Sequence, residues 1–242
     1  MRNPREVRMP SSPQSQNLLL AALPADDFEL LRPNLQLIDL ARGLVLVRSG
    51  DLPTRAYFPI SGVIASCVTL RDGRLVEARI VGREGTLGAA QGAGERTSFT
   101  SAVVRLEGKA FTIDYGNLET FMDRSPAFRA LLARHDALQL AMADQSVACN
   151  AAHSAEQRLA RRLLRLRRQS DDDKLTVTQD VLAEMLGVQR NSVSQVAHAM
   201  QARNLIRYSR GALEIVDFDA LRLRSCECYD TVVAYRTVLE LD

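Results

Sequence analysis

The spacing of hydrophobic and polar positions changes character several times along the chain. From Asn17 to Leu31, Leu18, Leu19, Ala22 and Leu23, then Phe28, Leu30 and Leu31, recur at helical spacing with an interruption at Pro24. From Leu35 the rhythm becomes strand-like. Short apolar runs occupy Leu35–Leu40, Leu44–Val47, Ala56–Ile60, Val63–Leu70, Leu75–Val81, Ser101–Leu106 and Ala110–Ile113. Turn signals separate them at Arg42-Gly43, Ser49-Gly50-Asp51, Ser61-Gly62, Asp72-Gly73 and Glu107-Gly108. Strands this short, at this spacing, predict an antiparallel β-roll or jelly roll, with Asp72-Gly73 at a hairpin tip. After Pro126 a helical period returns. Phe128, Leu131, His135, Leu138, Met142, Gln145, Cys149 and Ala152 step alternately by three and four, as a coiled-coil seam does. Leu132, Leu140 and Val147 form a second stripe, suited to covering the β-roll. The expectation is a long helix whose first seam meets a second copy of the chain.

The last third carries the most specific pattern. Glu156–Gln169 is a basic amphipathic helix with Leu159, Leu163 and Leu166 inward. Its Arg161, Arg162, Arg165 and Arg168 suit either phosphate contacts or a solvated face. Further on, Thr178 is placed to cap a short helix with Leu182, Met185 and Leu186 on one side. Gly187 breaks that helix, and Gln189–Arg203 resumes with Val193, Val196, Ala197 and Met200 inward and Arg190, Asn191, Ser194 and Gln195 outward. Helix, Gly-containing turn and second helix with a polar outer face predict a helix-turn-helix. Two short strands about Arg210-Gly211 would add a wing. The predicted organisation is a disordered arm over 1–16, a β-roll over 17–125, a dimerisation helix over 126–153 and a winged helix over 154–242, an α+β chain.

Composition adds bounds. The 242 residues are 46% hydrophobic and 25% charged, ordinary for a globular protein. The net charge of +2 alone argues for no partner, but Glu156–Arg210 holds eleven Arg/Lys against six Asp/Glu. No apolar run reaches the ~18–20 residues of a membrane span, and Met1–Gln16 lacks the apolar core of a secretory signal. A cytoplasmic chain is expected, its four cysteines reduced. No triad, P-loop or paired-carboxylate pattern appears, so no catalytic residue is assigned and an enzyme is not expected.

LAEMLGVQRNSVSQVAHAMQARNLIRYSRGALEI, followed by DFDALRLRSCECY, resembles the C-terminal domain of the Crp/Fnr family of bacterial transcription regulators over residues 154–230. The β-roll resembles the family's cyclic-nucleotide-binding-type sensor domain through GLVLVRSGD at Gly43–Asp51, YFPISGVI at Tyr57–Ile64 and VGREGTLG at Val81–Gly88. The resemblance implies a homodimer on double-stranded DNA, paired through the long helix and contacting RNA polymerase. It places Arg190, Asn191 and Gln195 at base-reading positions and Ser192 at a phosphate. Thr178, Arg207 and Arg210 are further phosphate candidates, as is Tyr208. Arg190 suits guanine, and Asn191 or Gln195 suits adenine.

The departures from the family are informative. Members that bind cyclic AMP use a Gly-Glu-Leu turn for the ribose and, ten residues on, an Arg for the phosphate. Here the turn is Gly88-Ala89-Ala90, and Ser98 stands where the Arg belongs, with Arg96 two residues away. An anion without a charged partner carries a large desolvation cost, which argues against cyclic AMP. Arg83, Glu84, Gly88 and Arg96 remain as a candidate effector pocket. The oxygen-sensing branch holds its iron–sulfur cluster on N-terminal cysteines, which this chain lacks, so that cluster is not expected either. Cys149 and His153 lie four apart on one helical face, and Cys226 and Cys228 form a CxC pair. For each pair, ordinary packing is the expected role, and no metal is assigned. The β-roll is expected to be a sensor, the alternative being a structural domain of a constitutive regulator.

Overall fold

The computed structural model describes residues 16–89, 97–170, 173–209 and 211–238. Most of the expected arm, together with Arg96 and Arg210, lies outside them. Two short helices, α1 (Leu18–Ala21) and α2 (Ala25–Leu31), open the fold. Asn17 caps α1 by accepting from the Leu20 amide at 3.0 Å, and its amide donates to the Pro59 and Gly85 carbonyls at 2.8 and 2.9 Å. One buried side chain thus ties the entry helix to two turns of the β-roll.

The β-roll is built from β1 (Gln36–Leu40), β2 (Val45–Val47), β3 (Arg55–Pro59), β4 (Val63–Thr69), β5 (Leu75–Val81), β6 (Ser101–Leu106) and β7 (Gly108–Asp114). All pairs are antiparallel, in sheets of order β1-β7-β3 and β2-β6-β4-β5. The alternation in β4 explains its unbroken burial. Ile64 points into the space between the sheets with Leu40, Ala102 and Val104. Val63, Ala65 and Cys67 point the other way, into a core that also holds Leu159, Leu163, Leu166, Leu182 and Met185 from the C-terminal third. The sensor-like domain and the helical head therefore share one hydrophobic core.

Helix α3 (Tyr115–Arg124) leads to α4 (Pro126–Ala152), which starts with Ser125 accepting from the Phe128 amide at 3.0 Å and Pro126 in its first turn. The head follows: α5 (Ala155–Ser170), β8 (Lys174–Leu175), α6 (Gln179–Leu186), α7 (Arg190–Ala202), β9 (Ile206–Ser209), β10 (Ala212–Ile215), α8 (Phe218–Arg224) and α9 (Cys228–Val238). The wing sheet runs β8-β10-β9, with β8 a short strand the periodicity did not announce. Among the described residues, no helix is long and apolar enough to cross a membrane.

The burial of the faces of α4 departs from expectation. Phe128, Leu131, His135, Leu138, Met142 and Cys149 are all buried within their own chain, and Gln145 is half-buried. Phe128, Leu131, Leu138 and Met142 pack with the N-terminal helices and β-roll, and Val232 of α9 lies against the same cluster. These side chains have almost no surface left to bury on a partner. Leu140 and Val147, expected on the β-roll, are instead 65% and 71% exposed, while Leu132 is buried. The exposed stripe has its own three-four rhythm: Ala130, Ala133, Ala137, Leu140, Asp144, Val147 and Ala151.

Candidate nucleic-acid interface and sensor cavity

The helix-turn-helix forms because each local signal agrees. Thr178 Oγ1 accepts from the Val181 amide at 3.3 Å to start α6. Gly187, at φ 64°, ends α6 in the left-handed conformation that side chains avoid, and sends the chain into α7. Val193, Ala197 and Met200 bury one face of α7. Arg190, Asn191, Ser192 and Gln195 are exposed on the other, as is Thr178. Gln189 provides no side-chain cap to α7, so its first-turn amides are not bound by a capping side chain, a setting suited to phosphate. Arg190 lies 3.6 Å from Asp180 and donates to Gln179 Oε1 at 3.3 Å. Both contacts are exposed and weak enough to exchange for a base edge.

In the wing, Arg207 pairs with Glu214 at 2.6 Å on the surface. Tyr208 differs from expectation: its hydroxyl donates to the Val177 carbonyl at 3.3 Å and is half-buried, so it holds the wing to the head. The basic helix α5 differs more. Arg161 and Arg162 are buried, Arg162 donates to Glu77 Oε1 at 3.0 Å, and Arg165 donates to the Ile80 carbonyl at 3.0 Å. Arg162 and Arg165 thus face β5, and Arg161 donates to Ser146 Oγ of α4 at 3.3 Å, so none of the three is a solvated or phosphate-facing group. Burial drives the Arg165 guanidinium down to about 9 and lowers that of Arg162. Arg105 joins them, in contact with Glu184 of α6, with its Nε 3.8 Å from Glu77 Oε2, an ion contact too long for a hydrogen bond. Glu77 is thereby shared between an arginine of each domain.

The described members of the effector set read from sequence, Arg83, Glu84 and Gly88, do not converge on one pocket. Glu84 is buried against α5, where Gln169 donates to it, and its Oε1 also accepts from the Gly82 amide at 3.3 Å. The Arg83 carbonyl accepts from Leu18 at 2.8 Å, and its side chain does not line the β-roll cavity. Arg96 lies outside the described residues, and of the other three only Gly88 lines that cavity, at φ 87°, where an added Cβ would stand 2.7 Å from the Tyr115 hydroxyl. The cavity measures about 100 Å³ and is walled by Leu46, Leu52, Tyr57, Leu87, Ser98 and Tyr115, with Arg55 and Arg79 as its cations. Arg55 is paired with Asp114 at 2.8 Å. Ser98 Oγ donates to the Thr100 carbonyl at 2.7 Å. A neighbouring hollow of about 260 Å³, sharing Arg79, Leu87 and Gly88, reaches His135, Asp136 and Gln139 of α4. Sequence reasoning missed Arg55 and Arg79 because both sit within strand patterns, away from the turn where the family keeps its ligand groups.

A last constellation joins residues that the sequence presented as two separate pairs. Cys149 Sγ and Cys226 Sγ are 3.5 Å apart, and Cys228 Sγ is 3.6 Å from His153 Nδ1. Burial pushes the Cys226 thiol up to about 12 and raises that of Cys149. The Cys67 thiol, elsewhere in the β-roll, is pushed up to about 11 by the same cause.

A β-roll joined by a long helix to a winged helix-turn-helix, with a polar helix face exposed beside the wing, defines a DNA-binding transcription regulator. Family profiles agree: a cyclic nucleotide-binding domain matches residues 37–125 and a Crp-like helix-turn-helix domain matches residues 157–224. The chain is a regulator of the Crp/Fnr type. Solved structures share its fold. A Crp/Fnr-family transcriptional regulator from Eubacterium rectale superposes with a TM-score of 0.68 at 16% identity, over 87% of this chain and 98% of that one. A CRP-family regulator from Thermus thermophilus gives 0.67 at 21% identity over 78% and 96%. The c-di-GMP responsive global regulator of Xanthomonas campestris gives 0.67 at 17% identity over 80% and 100%. A search of curated protein sequences finds no significant match.

Proposed function

We propose that two copies of this chain read a two-fold DNA operator, each inserting α7 into a major groove, under the control of the β-roll. The observation that carries this reading is the exposed face of α7, where Arg190, Asn191, Ser192 and Gln195 are exposed near Thr178 and the Arg207 wing. Arg190 reads guanine, and Asn191 or Gln195 reads adenine. Half-sites about one helical turn apart, ~34 Å, follow from two-fold pairing. The second copy packs on the exposed stripe of α4, where alanines allow close approach and Leu140 and Val147 supply the apolar contact. As in other regulators of this type, RNA polymerase is the further partner.

The β-roll acts through the shared core and the Glu77–Arg162, Arg105–Glu184 and Glu84–Gln169 contacts, which bind it directly to α5 and α6. Cyclic AMP does not suit it. Ala89 offers no ribose carboxylate, and Ser98 is engaged with Thr100. An anionic effector would meet Arg55 and Arg79 instead.

The test is selection from random double-stranded DNA by the purified full-length protein, alone and with cyclic AMP or c-di-GMP, at two salt concentrations. A palindrome enriched without cyclic AMP, bound less tightly at high salt and lost in Arg190→Ala, is the expected outcome. Enrichment that requires cyclic AMP overturns the ligand assignment. No enriched sequence under any condition overturns the operator reading.

A further inference from the structure

Three of the chain's four cysteines and one of its three histidines converge at a single point. Cys149 lies on the last turn of α4, and His153 is the residue that ends it. Cys226 lies in the link between α8 and α9, and Cys228 is the first residue of α9. The three cysteines are all buried and form a core cluster of their own, without aliphatic members. That is unlike cysteines that merely fill an apolar core.

The four potential ligand atoms lie within 4.8 Å of one another. A tetrahedral centre with Zn–S of ~2.3 Å and Zn–N of ~2.0–2.1 Å sets its ligand atoms about 3.5–3.8 Å apart. The Cys149–Cys226 and Cys228–His153 pairs, at 3.5 and 3.6 Å, already have that spacing. One ion fits so compact a set better than a two-iron cluster, which splits its ligands between two metals.

The surroundings match a metal site as well. His153 Nε2 is 3.2 Å from Glu227 Oε2, a contact that keeps the proton on Nε2 and turns the Nδ1 lone pair toward the sulfurs. Gln145 Nε2 donates to Cys228 Sγ at 3.0 Å, a contact that orients the sulfur from outside the cluster. Three thiolates around a dication leave one negative charge, and Arg161 is near enough for its charge to act on Cys149.

We propose that Cys149, His153, Cys226 and Cys228 bind one zinc-class divalent cation per chain. Binding converts three thiols to thiolates and releases three protons, with no change in oxidation state. The ion pins α9 to the end of α4, beside the joint at His153–Ser154 where the long helix gives way to the DNA-binding head. It thereby fixes the head against the helix without touching α6 or α7. This inference does not depend on the operator reading.

The test is metal analysis of the reduced, full-length protein, followed by removal of the metal and titration with cobalt(II). The expected result is one zinc per chain as purified, and one cobalt per chain with thiolate-to-cobalt charge-transfer absorption and the intense visible bands of a tetrahedral site. His153→Gln and Cys226→Ser should abolish that spectrum. Glu227→Gln, which keeps every ligand, should weaken cobalt binding about tenfold. The wild-type spectrum decides the matter even if a ligand variant fails to fold. Absence of both bound zinc and the charge-transfer band in a folded, reduced protein would overturn the proposal. So would a Cys149–Cys226 disulfide that persists under reduction and excludes cobalt.

Discussion

The two faces of α4 carry nearly the same heptad rhythm and meet opposite surroundings. One face, with Phe128, Leu131, His135, Leu138, Met142 and Cys149, is closed over by the β-roll, the N-terminal helices and α9. The other, with Ala130, Ala133, Ala137, Leu140, Asp144, Val147 and Ala151, faces outward. A three-four spacing says that a face is covered but not by what. Side-chain size is the better guide here. Large groups fill the irregular space against a β-roll, whereas a stripe of alanines with occasional Leu and Val suits the close approach of a second helix.

The largest difference between the faces should appear on truncation. Phe128→Ala leaves a void among Phe58, Phe121 and the N-terminal helices, and should cost about 3–5 kcal/mol of folding stability in denaturant titration. Leu140→Ala should leave protomer folding almost untouched. The double change Leu140→Glu and Val147→Glu should weaken dimerisation about a hundredfold or more by sedimentation, since each burial contributes ~1.5–3 kcal/mol. Normal circular dichroism would accompany that loss, and operator affinity would fall with it. A smaller effect, about 1–3 kcal/mol of base discrimination, is expected for Arg190→Ala in competition binding, with the dimer intact. The smallest is Asp180→Asn, which frees Arg190 from an exposed pair and should change operator affinity by less than about 1 kcal/mol.

The DNA-binding head was legible in the sequence because its signals are local. Thr178, Gly187 and the turn at Gly211 each fix a backbone geometry within a few residues. The strands of the β-roll were legible for the same reason, since their turns carry Gly or Asp-Gly. What escaped depends on distant packing. The inward face of α4 is set partly by α9, about a hundred residues later, and α9 has little periodicity of its own. The arginines of α5 read as a solvated or phosphate-facing surface because their partners are distant in sequence: Glu77, which accepts from Arg162, lies 85 residues away and gives no local sign of burial. Glu84 reads as a ligand-loop residue because its partner, Gln169, lies 85 residues away. The Cys/His cluster stayed hidden because neither Cys149–His153 nor Cys226–Cys228 suffices alone, and only the docking of α9 on α4 brings the pairs together.

Cross-linking through single introduced cysteines tests the assignment of the α4 faces most directly. The native cysteines are all buried, so background is low. Val147→Cys and Leu140→Cys should give a covalent dimer on mild oxidation, read on a non-reducing gel, because symmetry mates across a helix pair come within disulfide reach. Leu138→Cys, on the inward face, should stay monomeric on the same gel. Cross-linking at Leu138 but not at Val147 or Leu140 would contradict this account of how two copies bring their recognition helices to DNA.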